Sequence, residues 1–70
     1  MKVIYDPDTD ILTLILREMS IEESDEISEG VIIDYGKDNK IVSIEMLDAS
    51  ENISEPQSFM YEIKGSKATA

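Results

Sequence analysis

Apolar residues in this chain come in short runs of period two, cut by acidic and turn-forming residues. Val3 to Tyr5 is a β-type run, Asp6-Pro7-Asp8-Thr9-Asp10 breaks it, and Ile11 to Leu16 resumes it. Proline presets φ for a turn, and the flanking aspartates can accept bonds from the turn's own amides. The pattern predicts a hairpin with a loop of about five residues. Period two puts Leu12, Leu14 and Leu16 on one face of the second strand and Ile11, Thr13 and Ile15 on the other. Both faces are largely apolar, whereas a strand with one covered face alternates apolar with polar. Something is therefore expected to cover both, either another layer of this chain or another subunit.

The block Gly30 to Ser50 predicts a second hairpin running into a helix start. Val31, Ile33 and Tyr35 form the core face of its first strand, with Ile32 and Asp34 opposite. Gly36-Lys37-Asp38-Asn39-Lys40 is the clearest turn, with Gly36 and Asn39 suited to positive φ. In the return strand, Ile41 to Leu47, Val42, Ile44 and Met46 face one way, and Ile41, Ser43, Glu45 and Leu47 the other. Alternation at Ser43 and Glu45 predicts that this part of the second face is wet or meets a polar partner. Asp48 is a good N-cap, and Glu51 completes a capping-box pattern for a helix from Ala49 to about Ile53. So short a helix must dock on the sheet.

Residues 18–29 fit three patterns. Ser20-Ile21-Glu22-Glu23 suits a capping box and a helical turn, while the dense acids suit a solvated edge strand. A loop with a short extended piece near Asp25 to Ser28 is the favoured reading. Phe59 to Ile63 alternates and predicts an extra strand within 55–64, and 65–70 reads as a disordered tail. The expected fold is α+β and mainly β: one small domain over 1–54. It is an antiparallel sheet of four to five strands, built on two hairpins, with one short helix after the fourth strand.

Composition narrows the chemistry. Seventy residues make a marginal core. There is no cysteine to staple it and no histidine for a zinc site or a neutral-pH base. A homo-oligomer, most simply a dimer, is the expected route to extra stability. Sixteen Asp and Glu against six Lys and Arg give a net charge of −10. Such a surface repels phosphate backbones and anionic bilayers, so neither nucleic acid nor membrane is an expected partner. A small basic protein is, although acidity also serves plain solubility. The opening MKVIYDPD has no signal-peptide core, so a cytoplasmic location is expected.

Candidate sites are few. Asp6, Asp8 and Asp10 resemble the opening of a calcium loop. However, Ile11 stands where that loop needs glycine and Arg17 where it needs a bidentate glutamate. They remain candidates for a weak divalent-cation contact only, and no metal or cofactor is expected. No serine has a histidine to activate it, Ser66-Lys67 sits in the tail, and three scattered glycines make no phosphate cradle. The chain is not expected to be an enzyme. Asp34 and Glu45 fall on paired strands and would repel if directly opposite, unless the register offsets them or a cation intervenes. Ile11, Ile15, Asp34, Ser43 and Glu45 are the interaction candidates.

Tyr5-Asp6-Pro7 with Asp8 and Asp10, and then Gly30-Val31-Ile32-Ile33-Asp34-Tyr35, a polar turn, Ile41-Val42, Ile44-Glu45 and Leu47-Asp48-Ala49-Ser50, resemble the small prokaryotic domain of unknown function family 2283. The resemblance covers about residues 1–53. Gly36, Asn39, Ser43 and Thr13 depart from the family's usual residues and look like turn and surface variation. The resemblance implies a small antiparallel sheet with a short helix and no established activity. The resemblance also implies neighbours resembling small ribonuclease-type toxins, and with them an antitoxin-like role. The expected function is a non-enzymatic protein-interaction module, an antitoxin-like neutraliser of a basic RNase-like partner. The alternatives are a self-assembling structural subunit and the weak cation binder.

Overall fold

The computed structural model describes residues 1–65; residues 66–70, which include Ser66-Lys67 and nearly all of the expected tail, lie outside the described residues. Five strands form one antiparallel sheet: β1 Lys2–Asp6, β2 Ile11–Ile15, β3 Glu23–Ser28, β4 Val31–Tyr35 and β5 Ile41–Met46. A one-turn helix, α1 Ala49–Asn52, follows β5. Across the sheet the order is β1-β2-β5-β4-β3. β3 is the edge-strand alternative for the acidic stretch, longer than the short extended piece expected near Asp25 to Ser28, so the strand before the helix is the fifth along the chain. Every residue of β3 is exposed. This is the charged-edge pattern that discourages further pairing of like sheets.

The hairpins close as their turn residues dictate. Asp8 N–H donates to Asp6 Oδ1 (3.0 Å), and Asp10 N–H donates to the Asp6 carbonyl (2.7 Å). Asp10 then turns the chain at φ 59°. Gly30 (φ 77°) makes the β3–β4 turn and Asn39 (φ 67°) the β4–β5 turn. Gly36 does not take positive φ. What it supplies is space, because a Cβ there would meet Val42 Cγ2 at 3.1 Å and Asp38 Oδ1 at 3.2 Å.

Strands β3, β4 and β5 form a meander, and β2 lies beside β5 although it leads directly into β3, a Greek-key arrangement. The crossover between β2 and β3 is pinned by Arg17, the chain's only arginine. Its guanidinium donates to Asp38 through both terminal nitrogens (2.8 and 3.0 Å) and to the carbonyls of Ile41 and Lys40 (3.0 Å each). The Arg17 guanidinium holds the Asp38 carboxyl well below the usual carboxylate range.

Register sorts the side chains into cross-strand rows. One face carries Val3, Leu14, Ile44 and Ile33 in one row and Tyr5, Leu12, Met46 and Val31 in the next. The other face carries Lys2, Ile15, Ser43, Asp34 and Ser24, and then Ile4, Thr13, Glu45, Ile32 and Glu26. No second layer covers either face fully. All five β2 residues are half-buried, and the buried apolar side chains are Ile33, Val42 and Ala49. A radius of gyration of 14.2 Å, against about 11 Å for a compact chain of this length, reflects the flat, open form.

Two further expectations are corrected. Asp48 adopts a left-handed conformation (φ 50°, ψ 48°), and its side chain does not cap α1. A side chain reaches its N2 or N3 amide from an extended Ncap, not from this one. The helix is held through its first residue instead, where Ala49 N–H donates to the Asp10 carbonyl (2.9 Å) and Ala49 is fully buried. Phe59 to Ile63 forms no strand. It follows Pro56 past the edge at β1, with Phe59, Met60, Tyr61 and Ile63 largely exposed.

Candidate functional site

The five interaction candidates share one face, because they sit at odd positions of β2 and β5 and an even position of β4. Ile15, Ser43 and Asp34 are consecutive members of one row. Glu45 lies in the neighbouring row, opposite Thr13 and Ile32, and Ile11 lies near the helix end of the same face, opposite Asp6. The register therefore offsets Asp34 from Glu45 by one pair, and Ser43 stands directly across from Asp34.

The centre of this face is not wet. Asp34 is 1% exposed and Ser43 3%. The Asp34 carboxylate accepts the Ser24 hydroxyl from β3 on Oδ1 (2.6 Å) and the Ser43 hydroxyl from β5 on Oδ2 (2.7 Å). Glu45, diagonally across, hydrogen-bonds to the same carboxylate. Burial pushes Asp34 towards protonation, but the bonds from Glu45, Ser24 and Ser43 together outweigh it and hold Asp34 below its ordinary value. Glu45 is pushed up, first by that hydrogen bond, then by burial and by the Asp34 charge. The two carboxyls are thus pushed apart in acidity, with Asp34 the stronger acid of the pair.

This arrangement joins three strands and offers little to a substrate. A carboxylate with a lowered pKa is a poor general base, and one that is 1% exposed has no room for a reacting group. Both serines spend their hydroxyl protons on Asp34, with no base placed to take one. Ile11 and Ile15 remain half-buried on the same face.

Asp6, Asp8 and Asp10 do not converge. Asp6 is used by the Asp8 amide, while Asp10 turns away to accept Tyr5 O–H (2.7 Å) on Oδ1. It also takes the Ser50 amide (3.0 Å) and the Ser50 hydroxyl (2.7 Å). Ser50 and then Tyr5 lower the Asp10 pKa, and Tyr5 is raised in turn by its bond to Asp10. Among the described residues, no group of three or more His, Cys, Asp or Glu is placed to hold a metal ion. Asp10 alone of the three ties the first hairpin to the helix.

Sequence reasoning missed Ser24, Arg17 and the Tyr5–Asp10–Ser50 link. A lone arginine in a strongly acidic chain was a signal for the second. Ser24 carries none until β3 is placed beside β4.

The second surface of interest is the β3 edge. Among the described residues, its outer side pairs with no strand. Glu23, Asp25 and Glu26 lie along it, with Glu22 and Glu29 flanking, all exposed. No helix among the described residues is long and apolar enough to cross a membrane.

The sheet, from its first strand to the first turn of the helix, coincides with a match to one family model: residues 2–50 fit the family described as "Protein of unknown function (DUF2283)". The chain belongs to this family. No curated protein and no solved structure matches it. The matched span contains both hairpins, the Asp34–Glu45 pair and the Asp10–Ser50 link, so these are parts of the family domain. The exposed apolar segment beyond Pro56 lies outside it.

Proposed function

We propose that this protein is a non-enzymatic protein-interaction module whose acidic sheet edge engages a small basic protein. The observation that carries the reading is β3. It is an edge strand, exposed at all six residues, with carboxylates along its length in a chain of net charge −10. An open edge offers backbone donors and acceptors to an added strand, and flanking charges select which strand can stay. A partner segment rich in Lys and Arg meets complementary charge there, and long-range attraction speeds its approach. An antitoxin-like role is one form of this reading: the family resemblance adds an RNase-like protein whose basic RNA-binding face an acidic partner would cover.

Affinity purification from the native host tests it. A small basic protein that co-elutes and is released by raised salt is the expected result. A Glu23→Lys/Glu26→Lys double variant should lose that protein while keeping a native circular dichroism spectrum. Retention of the same partner by the charge-reversed edge would overturn the proposal.

A further inference from the structure

We propose that residues 57–61 are a strap that closes antiparallel along the free edge of β1, with Phe59 opposite Val3 and Tyr61 opposite Met1. The strap sits at the other end of the sheet from the acidic β3 edge and works independently of any partner there.

The segment already lies along that edge in order. One hollow is lined by Val3, Tyr5 and Pro7 together with Pro56, Gln57 and Phe59. The next is lined by Met1 and Val3 together with Phe59 and Tyr61. As residue numbers rise along the segment, those of its neighbours at β1 fall, which is the order of an antiparallel pair. Setting Phe59 opposite Val3 puts Gln57 opposite Tyr5 and Tyr61 opposite Met1. Phe59 then joins the apolar row of Val3, Leu14, Ile44 and Ile33 and lengthens it by one strand.

The strap stands open. Among the described residues, no backbone hydrogen bond joins the segment to β1, and the two hollows between them measure about 410 and 500 Å³. Phe59, Met60 and Tyr61 are largely exposed. β1 has an outer row of amides and carbonyls with no ladder partner, and the segment has an unpaired backbone with alternating apolar side chains. Closure supplies each with what it lacks.

The two edges of the sheet differ in their protection. β3 carries Glu23, Asp25 and Glu26, whereas β1 has Val3, Ile4 and Tyr5 at its centre. An edge without charge invites a strand from another molecule. The segment lies along this edge and not along the charged one. Once closed, the new outer strand is bounded by Pro56 at one end and by Glu62 and Lys64 at the other, and proline and charge discourage further pairing. The strap is thus an autoinhibitory contact: a foreign strand reaches β1 only by displacing it.

The chain has no cysteine, so paired thiols report the register cleanly. Lys2 and Met60, both exposed, fall directly opposite each other when the strap closes. Cα atoms of antiparallel partners stand within the span of a disulfide, and those two residues out of register do not. Under mild oxidation, Lys2→Cys/Met60→Cys should form an intramolecular disulfide about tenfold faster than Lys2→Cys/Ser58→Cys. If the first variant fails to fold, Ile4→Cys/Ser58→Cys against Ile4→Cys/Met60→Cys gives the same comparison. In the unmodified chain, alternate amides of residues 57–61 should exchange about tenfold more slowly than those of an unstructured peptide. Equal rates for the matched and offset pairs would overturn the proposal, as would disulfides formed only between molecules or unprotected amides throughout 57–61.

Discussion

Glu45 lies beside Asp34 across the β4–β5 pairing, one pair out of register, and the two carboxyls are pushed apart in acidity, Asp34 down and Glu45 up. Stability should therefore fall on both sides of a plateau. Glu45 has a raised pKa, so what it contributes is complete at low pH and is lost as pH rises through that raised value. Asp34 has a lowered pKa, so what it contributes is present above the ordinary carboxylate value and is lost as pH falls through the lowered one. Urea melts at fixed protein concentration should show the plateau between the two. Glu45→Gln keeps a donor and removes the second charge, so the alkaline fall should disappear, with a gain of about 1 kcal/mol on that side. An unchanged alkaline limb in this variant would refute the coupling of Glu45 to Asp34.

Removing Asp34 should hurt more than removing either serine. Asp34→Ala leaves the Ser24 and Ser43 hydroxyls without their acceptor, at a cost of about 2–4 kcal/mol. Ser43→Ala deletes one donor and should cost about 1 kcal/mol. Whole domains of this length are stable by only about 4–10 kcal/mol. Asp34→Ala should accordingly be marginal at 37 °C by circular dichroism, and Ser43→Ala well folded.

Arg17 should be irreplaceable by lysine. Its guanidinium reaches Asp38 with two nitrogens and two carbonyls besides, a planar fork that an ammonium cannot copy. Arg17→Lys and Arg17→Ala should both loosen the crossover. Amide hydrogen exchange checks this: Leu16, Arg17 and Glu22 should lose protection in both variants, while amides of the β1–β2 ladder keep theirs.

The link from Asp10 to Ser50 should be readable by titration. Ser50 is the larger cause of the lowered Asp10 pKa and Tyr5 the smaller. Ser50→Ala should therefore raise the Asp10 pKa more than Tyr5→Phe does, as followed by the carboxyl carbon in NMR. The reverse order would mean that the tyrosine, not the helix start, holds this carboxylate.

Both hairpins, the strand faces and the position of the helix were legible in the sequence, because period two and turn chemistry act locally. Ser43 and Glu45 alternate with apolar residues as a solvated face does, and alternation cannot show that a buried aspartate lies opposite. β3 was legible in part: ESDEIS has the charge of a loop or of an edge strand, and only pairing with Val31–Tyr35 lengthens the piece expected near Asp25 to Ser28 into a six-residue strand. Phe59 to Ile63 erred the other way, with strand-like alternation and no ladder bond to β1. Asp48 matched a capping signature whose geometry requires an extended backbone, which a left-handed residue does not have.

The crossover from β2 to β3 bears on how the chain folds. The β1–β2 and β3–β4–β5 units each close through short turns, but the β2–β5 seam joins residues as distant as Leu12 and Met46. Forming that seam carries most of the loop-closure entropy, so it should be the late, rate-limiting event. Two half-sheets waiting to meet are also interchangeable between molecules. At high concentration during refolding, one chain's first hairpin can complete another's meander, and the Arg17 crossover becomes the hinge of a domain-swapped pair.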